Sequence, residues 1–294
     1  MLEQVNSKFI LQEIFEFMGK SHGLQIAHAN KYLNTKLEIT VNDYKEAHDN
    51  IEINLKLSDN PDDYPEKDNC FINLRTNPDA NHFKIYIDGQ KLEKNIYSVS
   101  KDKLILKDIK IKIPKDIISL HSLFENCECI KEINIFNWVR KDITDLSYMF
   151  YGCKNLRRME ISRIKSNNVT DMSYMFYGCT SLKKINVLKL DTSNVTNMEK
   201  MFGECSALEK LDLSNFKTFK VTNMCGMFFS DNLLQFLNVK NFDIINLEYM
   251  DKMFYDCKNL INLEIFINNS KALKDKSEMF HGCKYVKEEI KNKF

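Results

Sequence analysis

Residues 168–187 read NVTDMSYMFYGCTSLKKINV, and residues 194–213 repeat the pattern as NVTNMEKMFGECSALEKLDL, 26 positions later. The same interval of 26 residues separates seven phenylalanines, each preceded by leucine or methionine: Phe124, Phe150, Phe176, Phe202, Phe228, Phe254 and Phe280. A cysteine follows three positions after each phenylalanine, except that Asp231 takes its place once. An interval that never changes indicates a repeat architecture. We number its copies one to seven after these phenylalanines.

Each copy contains one segment typical of a strand and one typical of a short helix or 3₁₀ segment. Leu211 and Leu213 are apolar residues that alternate with polar ones, as in a strand with one buried face. Met198, Met201 and Phe202 recur at the spacing of an apolar stripe on a helical return. The pattern therefore predicts an α/β fold, a leucine-rich repeat solenoid of parallel strands with short helical returns.

Stacking is expected because one such copy cannot cover its own apolar face. Proline is absent after Pro114, which fits strands that must each donate their backbone N–H groups to a neighbour. In the last copy, Glu289 and Lys291 stand at strand positions, so a polar C-terminal cap is predicted. The repeat domain is accordingly predicted to span residues 117–294.

The two quoted stretches closely resemble the BspA-like leucine-rich repeats of bacterial and protist proteins, and the resemblance covers roughly residues 120–294. It implies a binding scaffold, and it does not choose the ligand. Many members of that family are surface or adhesion proteins, whereas others are intracellular. A non-catalytic protein-protein interaction scaffold is the function that the resemblance favours, and a surface adhesion protein stays an alternative.

Residues 1–50 predict a small helical segment. Apolar residues recur there at helical spacing: Ile10, Leu11, Ile14, Phe15 and Met18. Their order is similar to an F-box, which implies docking onto a Skp-type adaptor and a role as substrate receptor of a cullin ubiquitin ligase. The usual Leu-Pro entry of that motif is missing, and Tyr32 stands where Trp is common. A helical cap packed on its own neighbours is therefore the alternative.

Residues 51–116 change to the pattern of strands. Apolar residues alternate at Ile51 and Ile53 and again at Ile109 and Ile111, and an Asp88-Gly89 pair is typical of a turn. We predict a β-rich N-terminal cap that covers the otherwise exposed strand edge of the first copy.

Composition narrows the class of protein. The chain has 42 basic and 41 acidic residues, so no global field attracts nucleic acid or an anionic membrane. Nucleic acid is not expected as a partner, and any binding of a polyanion would have to be local. No segment has the roughly 20 apolar residues of a membrane span. Glu3, Glu13 and Glu16 interrupt the N-terminus where a secretion signal needs an apolar core. A cytoplasmic protein with reduced thiols is the expectation for its nine cysteines.

The cysteine column does not indicate a metal site. Zinc needs ligands that converge from different directions, whereas stacked copies place sulfurs in a line. Cysteine is also a small, well-buried hydrophobic residue, so core packing is predicted. The histidines and glycines match no catalytic or phosphate-binding motif, and we expect no enzyme activity, no cofactor and no metal.

The predicted partner-binding surface is the outward face of the parallel sheet. Its residues vary between copies, as expected of a binding surface on a constant scaffold. The returns are expected to leave mainly small and polar side chains outside. Arginine and aromatic side chains are frequent anchors at protein interfaces. On this basis the candidate partner-binding residues are Arg158, Lys184, Lys210, Phe136, Phe236 and Phe266.

Overall fold

The fold is given by a computed structural model that describes residues 50–60, 71–73, 82–92, 108–138, 140–265 and 272–292. The regular secondary structure of this part of the chain is almost entirely strand, and its one helix is α1 (Glu288–Lys291), with 4 residues. The F-box-like segment predicted for residues 1–50 lies outside the described residues, apart from Asn50. No helix in the described ranges has the length and hydrophobicity needed to cross a bilayer.

The first sheet combines the strands before the repeats with those of the first two copies. In spatial order β3-β2-β4-β1-β5-β6, it contains β1 (Ile51–Leu57), β2 (Lys84–Ile87), β3 (Gln90–Lys91), β4 (Ile109–Ile113), β5 (Ile130–Asn137) and β6 (Arg158–Glu160). Asp88 and Gly89 join β2 to β3 with φ of 47° and 81°. Two positive φ values in a two-residue hairpin loop match the right-handed twist of the strands.

Strand β1 connects this N-terminal part to the repeats. It pairs antiparallel with β4 on one side and with β5 of the first copy on the other. Ile53 lies opposite Ile135 in the second pairing, and both side chains are fully buried. Because β1 occupies the edge of β5 that faces away from β6, the first copy has no open strand edge there.

The later copies form a second, parallel sheet of β7 (Lys210–Asp212), β8 (Phe236–Val239) and β9 (Asn262–Ile265). Its register follows the repeat, so that Leu211 lies beside Leu237 and Leu237 beside Leu263. A further ladder of single parallel bridges joins all seven copies through Ser119, Asp145, Asp171, Asn197, Asn223, Tyr249 and Asp275. Consecutive copies therefore stack with equivalent residues side by side.

The returns are series of tight turns, and the prediction of helical returns is wrong. In the second copy, Tyr148 and Gly152 have φ of 57° and 65°, and the equivalent residues of the other copies are also in the left-handed region. An α-helix has negative φ throughout, so one left-handed residue in every four prevents it. The apolar spacing was misleading because these turns direct the same positions inward as a helix would.

Hydrogen bonding explains why turns are favoured over a helix. Backbone amides alternate in the second copy: Met149 N donates to Leu146 O within its own turn, and Phe150 N donates to Met175 O in the next copy. In a helix, all of these amides would be used within the segment. The alternation instead gives each return a ladder of bonds to its neighbour, and isolated copies cannot form it.

Ladders of identical side chains fill the core. Phe150 and Phe176 stack with ring centroids 5.6 Å apart and an angle of 8° between the rings, and similar contacts join successive phenylalanines from Phe124 to Phe280. Met201, Leu208 and the other repeated apolar residues of the fourth copy are fully buried beside them. Stacking in register thus removes the apolar face of each copy from water.

A candidate protein-binding site on the strand face

We call the outward side chains of β5 to β9, together with residues 183–186 of the third copy, the strand face. The register places Arg158 beside Glu132, and Lys210 beside Phe236. Arg158 and Lys210 are exposed, and Phe236 is half-buried. The backbone beneath these side chains is held by the neighbouring copies, which limits the ordering entropy lost when a partner docks.

Three of the six candidate binding residues lie along one groove. Lys184, Lys210 and Phe236 line a shallow depression of about 400 Å³ between the third, fourth and fifth copies. Arg158 lies one copy before it, with 81% of its side chain exposed and its Nη1 3.4 Å from Glu132 Oε1. Phe136 lies in β5, but its side chain is outside the described residues, as is all of Phe266.

The sheet is interrupted at this groove. Residues 182–187 of the third copy form no strand, and none of their backbone amides bonds to β6 or β7 within the described structure. In continuous pairing, Arg158, Lys184 and Lys210 would stand directly side by side, because they are separated by 26 residues. Like charges in directly opposite positions destabilise a sheet. The repulsion of these three cations gives a physical reason for the interruption.

A strongly basic strip surrounds the interruption, and we define it as residues 154–165 and 180–191 of the second and third copies. Its carboxylates are Glu160 and Asp191. Its cations, all exposed, are Lys154, Arg157, Arg158, Arg163, Lys165, Lys183, Lys184 and Lys189. Since the whole chain has a net charge of +1, this strip is a local concentration of positive charge.

Contacts between the two copies make the basic strip continuous. Ser181 N donates to Lys154 O at 3.1 Å, and Asn167 Nδ2 donates to Asp191 Oδ2 at 2.8 Å. The pKa of Glu160 is lowered, first by its hydrogen bonds with Ser162 and also by the charges of Lys189 and Arg163, one from each copy. Cations of the second and third copies therefore act on the same carboxylate, that of Glu160.

The sequence prediction missed an aromatic array on the returns. Tyr148 stacks on Tyr174 with centroids 4.6 Å apart, and Tyr151 stacks on Tyr177 at 5.3 Å. All four tyrosines are half-buried, so the returns of the second and third copies expose aromatic surface, contrary to the expectation of small and polar side chains. The signal was present in the heptapeptide SYMFYGC, which occurs at residues 147–153 and 173–179.

Two hydroxyl groups of this array donate hydrogen bonds to carboxylates. Tyr174 Oη donates to Glu199 Oε1 at 2.7 Å, and Tyr177 Oη donates to Glu204 Oε1. Burial, followed by these bonds and the negative charges of the glutamates, raises the pKa of both phenols. Tyr174 and Tyr177 are therefore neutral hydrogen-bond donors at physiological pH.

Cysteine side chains pack in the core and bond to the backbone of the preceding copy. Cys179 Sγ lies 3.2 Å from Phe150 O, and Cys205 Sγ lies 3.1 Å from Phe176 O. Burial raises the pKa of Cys179 to about 12, so the thiol is the stable form. The eight cysteines in the described ranges are free, and Cys70 lies outside them. Those ranges also contain no cluster of side chains suited to a metal ion.

Asp231 replaces cysteine in the column of the fifth copy. Its side chain is fully buried, its Oδ1 accepts a hydrogen bond from Cys205 N at 2.8 Å, and its Oδ2 has no partner among the described residues. Burial, with a further contribution from the charge of Glu204, raises the pKa of Asp231 well above its ordinary value. The neutral acid is thus favoured in the folded chain.

Comparison with known proteins identifies the family of the repeats. The family model described as "Mycoplasma protein of unknown function, DUF285" matches residues 118–211 and 182–293. A solved structure of a leucine-rich repeat protein from Bacteroides ovatus is 18% identical, with a TM-score of 0.35 over 55% of this chain, which spans 43% of that protein. Among curated proteins, nothing matches. Because the two family matches together cover more than half of the sequence, the chain belongs to the DUF285 family.

Proposed function

We propose that this protein is a non-catalytic interaction scaffold, a leucine-rich repeat solenoid of the BspA-like type that binds a protein partner on its strand face. The observation that carries the proposal is the groove lined by Lys184, Lys210 and Phe236. It combines exposed cations with an apolar side chain, and the parallel pairing of β7 with β8 holds the backbone at Lys210 and Phe236. Such a surface suits recognition of a macromolecule.

Charge reversal on the strand face tests this function. In the triple variant Arg158→Glu, Lys184→Glu and Lys210→Glu, we expect affinity capture of partner proteins to fall about tenfold or more, because the charges at the interface change sign. The melting temperature should change little, since exposed charges contribute little to folding. Quantitative mass spectrometry of captured proteins and a thermal melt measure the two effects.

A matched variant changes the same amount of charge elsewhere. Lys141, Lys240 and Lys284 are exposed and form no ion pair among the described residues. Their replacement by glutamate should leave capture unchanged. Equal capture by a correctly folded strand-face variant and by the parent would place the interface elsewhere, and the tyrosine array would be the next surface to test.

We further propose that the protein works in a reducing compartment such as the cytoplasm. The buried cysteines support this because a thiol can donate to a carbonyl oxygen, as Cys179 does to Phe150, and a disulfide cannot. Alkylation of the denatured, unreduced protein should therefore modify all nine cysteines, as counted by mass spectrometry. Reproducible disulfide pairs or stoichiometric zinc in that experiment would contradict the proposal.

A further inference from the structure

Most cations of the basic strip form no ion pair among the described residues. Elsewhere, Lys252 pairs with Glu278 at 3.2 Å and Lys274 with Glu248 at 2.6 Å. Among the described residues, the strip cations that form no ion pair are Arg157, Lys165, Lys183, Lys184 and Lys189. These exposed side chains are available to the carboxylates of another molecule.

The groove beside the strip spans three copies and is partly lined by apolar side chains. It is lined by the consecutive residues 183–185 of the third copy and 209–212 of the fourth, with Phe236 of the fifth. An extended peptide that contacts residues of all three copies would lie across them. Ile185 and Phe236 are half-buried and can contact an apolar side chain of that peptide.

The positive charge of this surface is interrupted. Glu209 and Asp212 line the groove together with Lys184 and Lys210, and Glu160 lies within the strip. A nucleic acid carries a charge on every phosphate, so it would bring phosphates against these carboxylates. A peptide can place neutral residues at the same points, which favours a protein segment over a continuous polyanion.

We propose that the groove and the basic strip together bind an extended acidic segment of a protein partner, with one apolar side chain of the segment packed against Ile185 and Phe236. This inference rests on the proposed function and adds the chemistry of the partner to it. It also gives a role to the interrupted sheet. Carboxylates between Arg158, Lys184 and Lys210 neutralise the like charges that prevent continuous pairing there.

A defined peptide tests the inference on the full chain. The probe is a fluorescein-labelled peptide of about ten residues, long enough to cross the strip when extended, with glutamates on both sides of a central leucine. Fluorescence anisotropy at low and moderate salt measures its Kd. We expect binding that weakens with salt, and Kd should rise about tenfold when glutamine replaces the glutamates of the peptide.

Single substitutions in the protein separate binding from folding. Lys184→Glu should raise the Kd of the peptide about tenfold, and Lys184→Gln should raise it to a smaller extent. Neither variant should lower the melting temperature, because each removes one of three like charges from the column of Arg158, Lys184 and Lys210. The control Lys284→Glu, in the seventh copy, should leave Kd unchanged.

The alternative outcomes are distinct. Stronger binding of an oligothymidine or of phosphatidylserine vesicles than of the acidic peptide would overturn the inference and assign the strip to that polyanion. Unchanged peptide affinity in Lys184→Glu would also overturn it. If the strand-face triple variant still lost its captured proteins in that case, the proposed function would stand and only the acidic chemistry of the partner would be wrong.

Discussion

Phe202→Ala is expected to lower the free energy of unfolding by about 3–5 kcal/mol, the usual result of truncating a buried phenylalanine. Phe202 is fully buried, and its ring stacks between those of Phe176 and Phe228 with centroid distances of 5.4 and 6.1 Å. The substitution removes contacts with both neighbouring copies at once. Because repeats derive much of their stability from interfaces with neighbours, we expect the central copies to unfold together.

Urea denaturation followed by circular dichroism measures this loss, and two further variants calibrate it. Phe280 contacts only Phe254 within the described column and is partly exposed, so Phe280→Ala should cost less than Phe202→Ala. Phe219 is 42% exposed, and Phe219→Ala should change stability by about 0.5 kcal/mol or less. If Phe202→Ala and Phe219→Ala lowered the free energy of unfolding equally, the packing described for the phenylalanine column would be wrong.

Asp231→Cys is expected to stabilise the protein by about 1–3 kcal/mol, the range for removing an unsatisfied buried polar group. A thiol at this position can donate to Phe202 O, since Cys205 and Cys257 make the equivalent bonds to Phe176 O and Phe228 O. The carboxyl group of Asp231, in contrast, leaves Oδ2 without a partner in the described part of the chain. The substitution therefore restores a repeated contact in the centre of the core.

The stabilisation should depend on pH. Burial raises the folded-state pKa of Asp231 above its ordinary value of 3.8, so the folded chain binds a proton more tightly than the unfolded chain. The favourable contribution of this proton is complete below pH 3.8 and is lost as pH rises through the folded-state pKa. The advantage of Asp231→Cys over the parent should therefore increase from pH 4 upward.

Unfolding free energies of the parent, Asp231→Cys and Asp231→Ala between about pH 4 and pH 8 separate the causes. Asp231→Ala should lose the pH dependence in the same way, but it should gain less stability because alanine cannot donate to Phe202 O and leaves a small cavity. If the difference in unfolding free energy between the parent and Asp231→Cys were constant over this range, the pKa of Asp231 would be the same in the folded and unfolded chains. The expected pH dependence would then be wrong.

The repeat and its buried positions could be predicted from the sequence. Equivalent positions of each copy are packed in the same way, so the same types of residue recur every 26 positions. The phenylalanines at the interval of 26, the leucine or methionine before each and the cysteine or Asp231 three positions after each all lie in the core of the described copies, apart from the partly exposed Phe280 in the last one. The form of the returns could not be predicted in the same way. Apolar residues at three- and four-residue spacing fit both a helix and the turns observed, and the choice depends on hydrogen bonds to the neighbouring copy.

The candidate site was predictable only in part. The outward positions of Arg158, Lys210 and Phe236 follow from alternation along a strand, and the structure places them on β6, β7 and β8. The tyrosine array was also present in the sequence as a repeated heptapeptide. Its significance depends on stacking between copies, which brings Tyr148 within 4.6 Å of Tyr174 across 26 residues of chain. Sequence spacing alone assigns no such contact.

The repeat length, the inward positions and the family follow from the sequence, because each depends on residue types recurring at one interval. Three further features are visible only in the folded chain: turns in place of helices, a sheet interrupted at residues 182–187, and a groove beside the interruption. The physical reason is the same for all three. Each depends on interactions between one copy and the next, namely amides that bond across copies and cations that repel across them, and these arise only when the copies are stacked.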